Sequence, residues 1–159
     1  MAVQDSNYIE DYGDDPWGGF NFHVEISGEH GIKARFAEAS GLKGDVEEFE
    51  IKEGGVNDRT HRFPGRVTWG PITLKRGVDK DRAFYDWWRQ VVENKKGSGK
   101  KTLRRSVRIV QLDEDMSTVR TWTLVNAWPK SWEGPAFNSG GSELAFEAVV
   151  LNHDGVTES

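Results

Sequence analysis

The chain contains no cysteine, which removes disulfide staples, thiolate metal sites and cysteine nucleophiles together. Stability must come from packing or from neighbouring chains. It also lacks any long hydrophobic run. Met1 to Asp15 is polar and acidic, so we expect neither a secretory signal nor a membrane anchor, and we expect synthesis and assembly in the cytoplasm with release by lysis. Positive charge is in the minority, with 21 basic against 26 acidic residues and a formal net charge of -5. That balance argues against a dedicated nucleic-acid binder, whose affinity comes from neutralising phosphates. The local exception is the cluster Lys95, Lys96, Lys100, Lys101, Arg104 and Arg105. It is interleaved with Gly97, Ser98 and Gly99, the pattern of a solvated turn between a helix and a strand.

What is present is aromatic: seven Trp and eight Phe in 159 residues, enough to fill one small core or to cap surfaces that bury on assembly. The length suits a single domain. Residues 1–16 read as an acidic flexible arm, 17–155 as the folded domain and 156–159 as a C-terminal tail. Phe20, Phe22, Val24 and Ile26 alternate with polar residues, the period of a half-buried strand. Further strands are expected at about Lys33 to Ala39, Val46 to Glu53, and Arg66 to Arg76 with a break at Gly70-Pro71, since proline cannot donate to a ladder. Leu103 to Leu112 and Thr118 to Trp128 form an expected hairpin closed by Pro129. The last strand runs from Glu143 to Leu151, with Leu144, Phe146, Ala148 and Val150 on one face. Gly54 to Gly65 reads as a long polar loop. From Lys80 to Glu93, Phe84, Trp87, Trp88, Val91 and Val92 mark one apolar stripe of a helix, with Asp79 or Asp81 available as cap. The fold class is therefore all-β, a β-sandwich or half-barrel of two antiparallel sheets with one flanking α-helix. Open sheets leave edges, and ordered pairing with other chains is one use of them.

Convergent reactive groups are missing. His23, His30, His61 and His153 are scattered, and none shows the paired spacing of a zinc site. The serines and glycines match neither a nucleophile elbow nor a phosphate loop. Glu47, Glu48, Glu50 and Glu53 could supply an acid–base pair, but alternation splits them between the two sides of a strand. We expect no enzyme activity, no catalytic residue, no metal and no cofactor. Trp17, Trp128 and Trp132 flank loops, so a carbohydrate-binding β-sandwich is the alternative, with a β-sandwich hydrolase behind it.

The order of short motifs is more informative. Phe20-Asn21-Phe22, Ser40-Gly41-Leu42, Pro64-Gly65, Ile72-Thr73-Leu74-Lys75-Arg76-Gly77, Asn126-Ala127-Trp128-Pro129, Phe137-Asn138 and Ser142-Glu143-Leu144-Ala145-Phe146-Glu147 follow one another. In that order they resemble the inner tube (tail tube) proteins of contractile injection systems and contractile phage tails, over about residues 17 to 155. The resemblance implies a tail-tube-like fold and hexameric rings stacked into a rigid tube, which a contracting sheath drives through a target envelope. Its implied partners are copies of itself, a sheath protein, baseplate or spike and tube-terminating proteins, and a cargo in the lumen, with no membrane anchoring. A baseplate-proximal tube paralogue is a close alternative.

Under this resemblance three surfaces are expected. The 54–65 loop, with Val56, Asn57, Asp58, Arg59, His61 and Phe63, reaches the next ring. Hairpins at about 33–53 and 103–128 line the lumen, presenting Glu48, Glu50, Lys52, Arg104 and Arg108. The polar face of the helix, with Asp81, Asp86 and Glu93, meets the sheath.

Overall fold

The computed structural model describes residues 21–27, 32–34, 36–52, 60–93, 103–142 and 144–159. Within them the chain forms β1 (Asn21–Ile26), β2 (Ile32–Ala34), β3 (Glu38–Ser40), β4 (Gly44–Ile51), β5 (His61–Trp69) and β6 (Ile72–Gly77). The helix α1 (Ala83–Glu93) follows, then β7 (Arg105–Leu112), β8 (Thr118–Glu133), β9 (Phe146–Asn152) and β10 (Gly155–Glu158). Hydrogen bonding orders the main sheet β2-β1-β7-β8-β9-β6-β3, with β10 also on β8, while β4 and β5 pair only with each other. Every recorded strand pair is antiparallel.

The long strand β8 makes this one path into two sheets. Its first part, up to Ala127, pairs with β7 and β10, and Trp128 onward pairs with β9. The crossover sits at Asn126, whose φ is +51°. Asn tolerates that left-handed conformation better than most residues because its short polar side chain bonds locally. Here Asn126 Nδ2 donates to Asp154 Oδ2 at 3.0 Å, and the Asp154 amide donates to Val125 O at 2.9 Å. Pro129 was expected to close the hairpin. Instead β8 continues to Glu133, because the register shifts between Pro129 and Ser131 and a bulge accommodates a residue without an N–H.

The core forms between the two sheets and the helix. Val24, Ile26, Val107, Ile109 and Leu124 come from one side and Ile72, Leu74, Val149 and Leu151 from the other, with Phe84 and Trp87 closing it from α1. Each such side chain contributes about 1.5–3 kcal/mol on burial. Trp87 also satisfies its polar atom, donating from Nε1 to Leu103 O at 2.8 Å. The helix starts at Ala83 rather than at about Lys80, since Asp79 and Asp81 form a capping turn: Asp81 Oδ1 accepts from the Ala83 amide at 2.9 Å. Phe84 and Trp87 are buried, as the stripe requires, with Trp88, Val91 and Val92 half-buried.

Two further expectations are corrected. The strand from Lys33 to Ala39 is interrupted: β2 pairs with β1 and β3 with β6. Phe36 lies between them, buried, with its ring 5.3 Å from Phe84 in a T-shaped contact. The last strand has the opposite parity to the one hydropathy suggests. Glu147, Val149 and Leu151 are buried while Leu144 and Phe146 are exposed. The reason is Arg76, also buried, whose Nε donates to Glu147 Oε1 at 2.6 Å, so that a carboxylate occupies a core-facing position.

Candidate assembly surfaces

The β4–β5 hairpin is built like a buried one and is not buried. Register pairs Val46 with Val67, Phe49 with Phe63 and Ile51 with His61, with a bulge between Val46 and Glu48. Alternation puts Phe49, Ile51 and Phe63 on one face and Val46, Val67, Glu48, Glu50 and Arg62 on the other. Gly65 lies under the Phe49 ring, which a Cβ there would run into. Yet Phe49 is 56% and Phe63 48% exposed, and every β4 residue is exposed. Among the described residues the main packing partner of each strand is the other. The hairpin is held at its root. Gly41, at φ +97°, packs against Pro71 O with no room for a Cβ, and the Gly70 amide donates to Lys43 O at 2.9 Å. His153 Nε2 donates to Gly70 O at 2.9 Å.

Of the expected inter-ring residues, His61 and Phe63 therefore lie in a strand rather than a loop, since β5 begins at His61. Cross-strand pairing with Phe49 and Ile51 extends the ladder that far. Val56, Asn57, Asp58 and Arg59 lie outside the described residues.

The sheet that β6 and β9 form carries a second apolar surface at the end away from the hairpin's root. The β6–β9 ladder runs from Ile72 opposite Leu151, at the hairpin's root, to Gly77 opposite Phe146. Beyond Gly77 the Val78 amide donates to Ala145 O at 3.0 Å. The segment joining β8 to β9 closes on this end, with Asn138 Oδ1 accepting from the Gly140 amide and Asn138 O from the Gly141 amide. That turn presents Phe137, 86% exposed, and Leu144, 78% exposed. Sequence reasoning missed this surface by assigning Leu144 to a buried face. The available signal was a lone Phe within the otherwise small and polar residues 134–142.

The candidate lumen residues fall on two different sheets. Glu48 and Glu50 share the hairpin face with Arg62, whose nitrogens lie 3.7 and 3.6 Å from their carboxylates, and Lys52 follows β4. Arg108, in β7, pairs with Glu25 at 3.0 Å, and Arg104, just before β7, with Asp154 at 3.2 Å. The expected hairpin over 33–53 does not exist as one unit, because those residues divide among β2, β3 and β4, each with a different partner. The 103–128 hairpin is present as β7–β8.

The three candidate sheath residues all have arginine partners. Asp86 lies 3.6 Å from Arg82, Glu93 accepts from Arg89 at 2.8 Å, and Asp81 caps α1 while its carbonyl accepts from Arg76 Nη2 at 2.7 Å. The helix surface is thus charge-balanced rather than acidic. Of the candidate sugar platforms, Trp132 is half-buried. It packs with Tyr85 at 5.0 Å and Trp88 at 6.3 Å, and its Nε1 donates to Glu147 Oε2 at 3.2 Å. Trp128 is also half-buried, and Trp17 lies outside the described residues. Among the described residues no group of three His, Asp or Glu side chains is placed to hold a metal ion, and no helix is long and apolar enough to cross a membrane.

Solved structures share this architecture. A chain of the anti-feeding prophage baseplate, solved with 6-fold symmetry, matches at TM-score 0.76 and 23% identity, over 91% of this chain and 95% of that one. A chain of the sheath–tube complex of PVC, an extracellular contractile injection system, in its extended state matches at TM-score 0.73 and 23% identity, over 97% and 96%. Hcp1 from Flavobacterium johnsoniae matches at TM-score 0.53 and 10% identity, over 88% and 95%. No curated protein matches significantly in sequence. A family model nevertheless matches residues 18–157, spanning both sheets, the helix and both apolar surfaces, and the chain belongs to the T4-like virus tail tube protein gp19 family as a structural subunit of a tail-like tube.

Proposed function

We propose that copies of this chain form hexameric rings that stack into the inner tube of a contractile particle, without enzymatic activity. The observation that carries this reading is the β4–β5 hairpin, whose apolar side chains enter no core among the described residues. Exposed apolar surface of this kind belongs to interfaces. The strand edges at β2 and β3 offer main-chain groups for lateral pairing within a ring. The 6-fold symmetry of the similar baseplate supports six subunits per ring. A surrounding sheath is the proposed lateral partner, and the similar chain in the PVC sheath–tube complex supports it. Baseplate or spike proteins and a terminator are the proposed partners at the two ends of the tube, in line with a similar chain from the anti-feeding prophage tube-terminating cap.

Within this assembly the hairpin contacts the next ring through Phe63 and the adjoining 56–61 stretch. Glu48, Glu50, Lys52, Arg104 and Arg108 face the lumen, where polar side chains let a cargo pass. Asp86 and Glu93, with their arginines, meet the sheath; Asp81 is left to its cap. Negative-stain microscopy of the purified protein tests the reading. Rings or tubes with 6-fold projections are expected. A monomer that binds glycans and never forms rings would overturn it.

A further inference from the structure

The hairpin and the β8–β9 connection are apolar surfaces at opposite ends of one ladder. The hairpin leaves from the Ile72–Leu151 end; at the Gly77–Phe146 end the chain runs out into exposed Val78, and the β8–β9 connection that enters there carries exposed Phe137 and Leu144. We infer that Phe49, Ile51 and Phe63 of one subunit dock on the Phe137–Leu144 surface of a second copy stacked against its opposite end. The inference rests on the reading that the hairpin makes the inter-ring contact, and it names the surface that receives it.

Three observations lead to a second copy as the occupant. In a tube made of one chain, a surface left apolar on every subunit finds its complement on another subunit. A contact between opposite ends of identical units is also heterologous: it repeats by translation and does not close on a pair, as stacking requires. Finally, residues 134–142 carry no charge and Glu143 is the one ion in the 134–144 segment, so three apolar side chains arriving there meet a mostly uncharged stretch.

Area explains why such a contact belongs to rings rather than to free subunits. Three half-exposed side chains on the hairpin bury on the order of 300 Å². A free-standing complex needs about 800 Å² per partner. One docking contact is therefore too small to hold two free subunits together. Repeated around a ring, the contacts act together, because the first pairing raises the effective concentration of the rest.

The test uses the absence of native cysteine. A Phe63→Cys, Leu144→Cys double variant is assembled, oxidised and run on a denaturing gel. Docking between rings predicts a ladder of linked chains that continues past the number of subunits in one ring, because each subunit links one neighbour above and one below. A ladder ending at the ring number would mean lateral docking within a ring and would overturn the inference, as would assembled tubes without any linkage. A second pair of variants separates the two readings. Phe49→Asp with Phe63→Asp, and Phe137→Asp with Leu144→Asp, are each expected to leave rings and thermal melting intact while shortening tubes at least tenfold. If only the hairpin variant shortens tubes, the receiving surface is wrong and the hairpin reading survives. If neither does, the hairpin reading falls as well.

Discussion

The β6–β9 ladder and the β4–β5 hairpin are antiparallel pairs of similar length, yet one is the centre of the core and the other buries nothing. Ile72, Leu74, Val149 and Leu151 are almost fully buried, whereas Val46, Phe49, Ile51, Phe63 and Val67 are about half exposed. Both are paired in register over most of their length, the hairpin with one bulge, so the ladder does not decide burial. The difference lies in the second layer. α1 and the β1–β7–β8 sheet lie over β6 and β9, whereas no hairpin residue joins the described core and Trp69, at the root, packs near His153. Two isolated strands are marginally stable in water. The hairpin accordingly depends on its root at Gly41, Lys43, Gly70 and His153, and on whatever covers it after assembly.

The contrast can be broken most forcefully in the core. Trp87→Ala opens a large cavity and strands Leu103 O, so we expect a loss of about 3–5 kcal/mol in chemical denaturation, a large share of a domain's total stability. Glu147→Ala leaves the buried Arg76 guanidinium without its main counter-ion, and a loss of about 3–5 kcal/mol is expected. Replacing both residues with apolar ones of similar volume should recover much of that loss. If Glu147→Ala melted like the wild type, the buried pair would not be holding β6 to β9. At the crossover, Asn126→Val forces a β-branched residue to a positive φ and removes the bond to Asp154. A loss of about 1–3 kcal/mol should appear as a lower melting temperature. The smallest effect on the isolated subunit belongs to the hairpin. Phe49→Ala is expected within about 0.5 kcal/mol of the wild type, as for other exposed sites. A loss above 2 kcal/mol in the monomer would mean that the hairpin packs on its own chain after all.

Local periodicity made much of the body legible. β1 alternates and the α1 stripe repeats at helical spacing, so these two elements state their own buried side, while β7 and β8 announce their hairpin by the acidic turn Asp113 to Asp115. Legibility failed where a side chain's environment comes from elsewhere in the chain. Glu147 is inside only because Arg76, 71 residues away, is inside with it, and that exchange inverted the reading of β9. Pro129 continues β8 because a bulge opposite Leu151 removes the need for its N–H. His61 and Phe63 looked like loop residues because the hairpin's pairing, not their own composition, extends the strand to them. The Phe137–Leu144 surface was invisible for the converse reason: hydrophobicity suggested burial, and only the fold leaves those residues outside.

The sequence by itself determined the absence of thiol chemistry, the all-β class with a flanking helix, and the ordered motifs of a tail tube protein, because these depend on residue identity and local spacing. The tertiary structure decided which of its apolar residues belong to the core and which to the surface. That choice depends on how the two sheets share β8, a long-range pairing that no local pattern records. It places the unburied hydrophobic surfaces at the two ends of one ladder, where copies of the chain can meet.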